Sequence, residues 1–176
     1  MKFINARSYL RGIIIRPYWK SLEIDRGTYN FSLIDQAIKE LNSGKYVWVQ
    51  LQTAIFNNAA ADANSLLPNY LTTAEFDGGA YDDGTHVKTK VWNAAVIGRK
   101  IELMKALAAK YNNAEKFEGV LTGETAMSLT TNEGTSGYSP AALTTQLSHL
   151  MISARKVFTK KKSDDLRQFY KWVRWK

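Results

Sequence analysis

Three short apolar runs, each followed by a helical stretch, constrain this chain most. The first is Gly12-Ile13-Ile14-Ile15-Arg16, a β-branched run of the kind found in strands buried on both faces. Residues 46–52 form the second run, Tyr46-Val47-Trp48-Val49-Gln50-Leu51-Gln52, and residues 117–121 the third. Between them lie apolar residues at helical spacing. Ile34, Ala37, Ile38 and Leu41 predict one helix, with Ser32 as its N-cap and Asp35 at its third position. Asn42-Ser43-Gly44 stops it. Trp92, Val96, Ile97, Ile101, Met104, Leu107 and Ala108 predict a longer helix over residues 92–111. Pro140 suits a first helical turn, and residues 141–158 read as a third helix. Strands that alternate with helices build a parallel sheet, because each return crossing needs a helix-length connection. Residues 53–90 read as a long irregular stretch whose one apolar island is Leu66-Leu67-Pro68-Asn69-Tyr70-Leu71. It follows a strand, where an α/β fold places its ligand loops.

Charge is distributed unevenly. The net charge is +8, but residues 155–176 hold nine of the 24 basic residues and two of the 16 acidic ones. That leaves a single net positive charge on residues 1–154, so the body is not expected to bind nucleic acid. No cysteine is present, which removes disulfides, thiolate metal ligands and a thiol nucleophile. His86 and His149 lack ligand-spaced companions, so neither a metal site nor a cofactor is expected. Phosphate-binding glycine loops and nucleophile elbows do not occur. The first ten residues lack the apolar core of a signal peptide, and no run approaches the roughly 20 apolar residues that span a bilayer. The compartment stays open.

Chemistry concentrates at the ends of the strands. Glu124 follows the third run and precedes Thr125 and Ala126, which places a carboxylate at a strand tip, where β/α barrels carry their catalytic groups. The bland alternative is a buried carboxylate paired with Arg16 or capped by backbone amides. Tyr18, Trp19, Trp48, Phe56 and Tyr70 cluster near strand ends and loops, where aromatic faces could stack on sugar rings or simply pack the core. Trp48 is read as core. Gln50 and Gln52 alternate with Val49 and Leu51; inside a barrel their amides need partners, which neighbouring strands or sugar hydroxyls could supply.

One segment carries a family resemblance. Trp19-x-x-Leu22-Glu23, then Gly27-x-Tyr29-x-Phe31-Ser32 and Asp35, resembles the second strand and following helix of clan-A glycoside hydrolases, above all the β-galactosidase-like group. The strand at 46–52, the Pro68-x-Tyr70-Leu71 element and the strand ending at Glu124 continue the likeness, which covers roughly residues 11–155. Similar patterns mark uncharacterised hydrolase-like bacterial and phage proteins. The resemblance implies that Glu124 is a general acid/base and that Tyr18, Trp19, Gln50, Gln52 and Tyr70 line a carbohydrate site. Two departures stand out. The family's acid/base usually follows an Asn that holds the sugar 2-hydroxyl, and here the residue is Gly123. The nucleophile belongs near the seventh strand, which three or four βα units do not reach. Glycoside hydrolysis needs two carboxylates. Among the other acids, Glu23 is expected to cap or to pair with Arg16 or Arg26, the acids at 75–83 to be solvated, and Glu133 alone to have reach.

The expectation is therefore an α/β fold, a partial TIM barrel of three to four βα units over residues 1–158, and a basic aromatic tail at 159–176. A whole barrel runs to about 250 residues, against 176 here. The functional expectation is a glycoside-hydrolase-like, carbohydrate-active protein, incomplete as an isolated chain. The alternative is a non-catalytic carbohydrate-binding or self-assembling module on a degenerate half-barrel. Open sheet edges predict homo-oligomers. The tail, with Lys160-Lys161-Lys162 before Phe169, Tyr170, Trp172 and Trp175, could serve an unknown partner, or mark a truncated or frame-shifted reading frame.

Overall fold

A computed structural model describes residues 1–56, 60–82, 86–121, 123 and 137–160. In chain order the elements are α1 (Lys2–Asn5), β1 (Gly12–Ile15), α2 (Trp19–Leu22), β2 (Glu23–Asp25), β3 (Thr28–Tyr29), α3 (Ser32–Glu40), β4 (Tyr46–Gln50) and β5 (Ala54–Ile55). Then come α4 (Ala63–Leu66), β6 (Ala80–Asp82), β7 (Val87–Thr89), α5 (Ala94–Tyr111), β8 (Phe117–Leu121) and α6 (Pro140–Val157). The three predicted strands form one parallel sheet in the order β1-β4-β8. Each is followed by one of the three longer helices, α3, α5 and α6, which makes three βα units of a TIM-type barrel.

The two faces of the sheet differ. Val47, Val49 and Leu51 are buried against the helices, while Tyr46, Trp48, Gln50 and Gln52 alternate with them on the other face and are half-buried. β1 departs from the expectation of burial on both faces, since Ile14 is 50% exposed. The physical reason is the strand count. A closed barrel fills its inner face with side chains from every strand, and the three described parallel strands supply only part of that filling. Ile13 and Ile15, on the other face, pack against the core.

Between β4 and β8 the ladder slips. Val47 pairs with Phe117 but Trp48 pairs with Gly119, so Glu118 is the extra residue of a bulge. Trp48 then leans on Gly119, where an added Cβ would lie 2.9 Å from its Cζ3 atom. This position therefore needs glycine, and Trp48, expected in the core, is instead half-buried on the inner face outside the core cluster.

Helix boundaries follow local chemistry. The Asn93 side chain caps α5 by accepting from the amides of Ala95 and Val96, at 2.9 and 3.2 Å. Ser139 caps α6 by accepting from Ala142 at 3.0 Å, with Pro140 in the first turn. α3 is different: Ser32 lies inside the helix, Phe31 takes the cap position, and no side chain caps it. Asp35 instead ties α3 to the end of α5, accepting from Tyr111 Oη and Lys110 Nζ at 2.7 Å each. Burial pulls that carboxyl's pKa up, but these two hydrogen bonds outweigh it and hold it below the ordinary value.

The described residues between 53 and 90 are not irregular. They hold an antiparallel sheet in the order β5-β7-β6, the helix α4, and two 3₁₀ turns at Asn69–Thr72 and Ala74–Phe76. Leu66, Leu67, Leu71 and Phe76 carry this insertion into the main core. Strands of two or three residues are too short to show an alternating period, and the Val-Lys-Thr of β7 hides its burial behind a lysine. Lys90, just after β7, is buried and satisfied by Asp77, through the carboxylate at 2.9 Å and the carbonyl at 2.6 Å.

Candidate functional site

The C-terminal ends of the parallel strands converge on one edge. β1 runs on through Arg16 and Pro17 to Tyr18, which bridges to Gln52 beyond the end of β4. The Gln52 amide donates to the Pro17 carbonyl at 3.0 Å, which holds the two strand ends together. Tyr18 is exposed here, and Gln50 and Gln52 are half-buried. Among the described residues, the side chains of Tyr18, Trp48, Gln50 and Gln52 make no hydrogen bond. Buried polar groups find partners in the protein or in ordered water; half-buried amides stay open to solvent or to a ligand. Gln50 and Gln52 thus present donors and acceptors toward the inner face, with a phenol beside them. Arg16 is exposed there, with no ion pair among the described residues.

Behind this edge lies a buried network. Glu23 is fully buried and saturated. Its Oε2 accepts from the Trp19 indole at 2.8 Å, and its Oε1 from the Gly27 amide at 2.9 Å and from Arg99 Nη2 at 2.6 Å. Arg99 Nε also donates to the Tyr70 hydroxyl at 3.2 Å. The partner of Glu23 is therefore Arg99, on α5, rather than Arg16 or Arg26. Arg26 is held by Glu75 at 2.8 Å. Burial pushes the Tyr70 hydroxyl up to about 12 and also raises Tyr29, with the Glu23 charge adding to both. Arg99 loses hydration on burial, but its bonds to Tyr70 and Glu23 more than restore its charge.

This network explains the spacing of the motif. Trp19, Glu23, Gly27 and Tyr70 are one hydrogen-bonded unit that braces the loop after β1 against the insertion and α5. Trp19 is 1% exposed, so its ring lies inside the core. Tyr70 is half-buried and stacks under Arg26 and Arg99, 5.8 and 5.6 Å from its ring centre. Arg99 was not legible as a member, because a helical arginine 76 residues from its glutamate carries no local signal.

Glu124 and Glu133 lie outside the described residues, as does the tail beyond Lys160. The backbone at Gly123 is placed, and it passes close to the segment after β4. A Cβ there would sit 2.4 Å from Thr53 Oγ1 and 2.8 Å from the Leu51 carbonyl. The position before Glu124 therefore leaves no room for an Asn side chain. Among the other acids, Glu75 and Asp77 are paired with Arg26 and Lys90 rather than simply solvated. Among the described residues, no group of three His, Cys, Asp or Glu side chains is placed to hold a metal ion. No helix of the described residues is long and apolar enough to cross a membrane. A cleft of about 740 Å³ opens at the opposite, N-terminal end of the strands, beside Lys45. That lysine is already committed to the carbonyls of Arg7 and Leu10 at 2.8 and 2.6 Å.

Comparison with solved structures gives the fold its setting. Endo-glycoceramidase II from Rhodococcus sp., in a cellobiose-like imidazole complex, is similar at a TM-score of 0.57 and 12% identity, over 85% of this chain and 38% of that one. A GH5_18 protein from Streptomyces cattleya, in complex with Manb1-4GlcNAc, is similar at 0.54 and 16%, over 88% and 34%. One from Bifidobacterium longum subsp. infantis gives 0.52 and 15%, over 82% and 32%. The shared fold is a TIM-type barrel, in part. The chain spans about a third of the length of these solved chains. No family model and no curated protein matches it.

Proposed function

We propose that the chain is a carbohydrate-active module of glycoside-hydrolase type. Tyr18, Gln50 and Gln52 contact the sugar, and Glu124 acts as general acid/base toward an O-glycosidic bond. Trp19 and Tyr70 act from behind, through Glu23 and Arg99, by fixing the loops that carry the contacts. One observation carries this reading: side chains with no hydrogen-bond partner among the described residues stand at the C-terminal ends of parallel strands, in a fold shared with glycoside hydrolases. The carbohydrate complexes of the neighbours support the ligand class. The narrower β-galactosidase-like assignment rests on the Trp19-x-x-Leu22-Glu23 and Gly27-x-Tyr29-x-Phe31-Ser32 pattern.

The chemistry sets a condition. A general acid protonates the leaving oxygen, but a second carboxylate must act from the other face of the sugar, as nucleophile or as base for water. Glu23 cannot serve, since both of its oxygens are occupied in a closed network. Hydrolysis by this chain therefore requires Glu133 or a carboxylate from a partner. The test is turnover of aryl glycosides and binding of oligosaccharides by the chain and by Glu124→Gln. Turnover should fall by about 10²–10⁴-fold in the variant, while binding survives. Turnover that the variant leaves intact would end the catalytic assignment.

A second reading has its own observation. Among the described residues β1 and β8 each pair with β4 alone within the sheet, and Ile14 is half exposed on the inner face. Unpaired strand edges and open apolar faces invite a further chain. In that reading the module self-assembles and binds sugar without cleaving it. Light scattering after size exclusion should then give the mass of two chains or more. A monomer at every concentration would exclude it.

A further inference from the structure

The segment after Gln52 carries an aromatic side chain that the core does not use. Phe56 directly follows β5 and is 39% exposed. Its ring is nevertheless held. His86 meets it edge-on, with ring centres 5.5 Å apart and planes 70° apart. Lys88 Nζ, buried beneath, lies 5.7 Å from the ring centre. The same ammonium lies 5.9 Å from the Tyr81 ring, and Tyr81 packs on Trp92 at 5.4 Å. β5 is itself anchored, pairing Ala54 with Lys88 and Ile55 with Val87. The ring therefore stands next to the end of β5, in contact with His86 and Lys88.

Position gives this ring a use. Phe56 lies four residue steps beyond Gln52, a span of about 13 Å in extended chain. That distance exceeds one sugar unit. Continuity links it to the edge already described, because Gln52 and Phe56 lie on one short stretch that leaves the sheet at its C-terminal end. We infer that Phe56, held by His86 and Lys88, is a stacking platform for an outer sugar of an oligosaccharide whose inner unit meets Tyr18, Gln50 and Gln52. The inference rests on the proposed carbohydrate function and narrows it: the ligand is a chain of several units. The apolar C–H face of a pyranose covers the exposed side of the ring.

The test is calorimetric titration of β-1,4-linked gluco- and manno-oligosaccharides, from dimer to hexamer, against the full chain, Phe56→Ala and Phe56→Trp. For the parent chain, affinity should rise with length and then level off. Phe56→Ala should flatten that rise, losing up to about tenfold on the longer ligands, the size of one aromatic stacking contact. It should leave the affinity for the dimer unchanged, and Phe56→Trp should keep the length dependence. Equal loss on short and long ligands would make Phe56 a structural residue and overturn the platform. An unchanged length dependence in Phe56→Ala would overturn it as well, with the carbohydrate function left standing. If the parent chain binds none of these ligands, the carbohydrate function and the platform fall together.

Discussion

Lys100 offers the sharpest test of the described core. It sits on α5 in the middle of the apolar stripe, between Val96, Ile97, Leu103 and Met104, and is 4% exposed. No ion pair or hydrogen bond offsets that burial among the described residues. Burial favours the neutral amine and lowers its pKa from 10.5 to about 8. The gap corresponds to about 3 kcal/mol of destabilisation when the group is charged in both states. The sign follows from proton binding. Below about pH 8 both the folded and the unfolded chain carry the proton, and the folded state bears the full penalty. Between about pH 8 and 10.5 the unfolded chain binds more protons, so stability rises with pH. Above that range both amines are neutral and the penalty is gone. Lys100→Met keeps an unbranched stem of similar size and removes the charge. Urea unfolding with linear extrapolation should show the variant more stable by about 3 kcal/mol at pH 7. The gain should shrink toward zero by about pH 10.5, with an unchanged denaturant slope. An equal gain at both pH values, or a variant less stable at pH 7, would refute burial of an uncompensated ammonium.

Two further substitutions probe the site from behind. Arg99→Met leaves the Glu23 carboxylate buried beside an empty place, so unfolding free energy should drop by about 3–5 kcal/mol, measured by the same titration. A loss below about 1 kcal/mol, the size of an exposed pair, would mean that Glu23 is not held as described. Gly123→Asn tests the close approach to Leu51 and Thr53. It should destabilise the chain by about 1–3 kcal/mol through overpacking and should not tighten sugar binding. A stable variant with higher affinity would show that the position has room.

How much of this was legible beforehand varies by element. The three parallel strands and the α5 and α6 helices were readable because each writes a local signal. β-branched runs, a wide apolar stripe and a Pro in the first turn act within a few residues; the Asn93 and Ser139 caps went unread, and Ser32, the expected cap, lies inside α3. The insertion was missed because its strands hold two or three residues each and its buried β7 includes a lysine. Among the site residues, the sequence placed Tyr18, Gln50 and Gln52 at strand ends, and it could not separate them from Trp19. All four share a strand-end neighbourhood in one dimension.

The amino-acid order alone determined the alternation of strand and helix, and with it a parallel sheet, since backbone hydrogen bonding and apolar periodicity are local. Tertiary structure decided which polar groups are spent and which remain. Glu23 is consumed by Trp19, Gly27 and Arg99, whereas Gln50 and Gln52 find no hydrogen-bond partner among the described residues. That division depends on contacts across as many as 76 residues of chain. Burial and pairing are properties of position in space, and a residue's neighbours in sequence do not specify them.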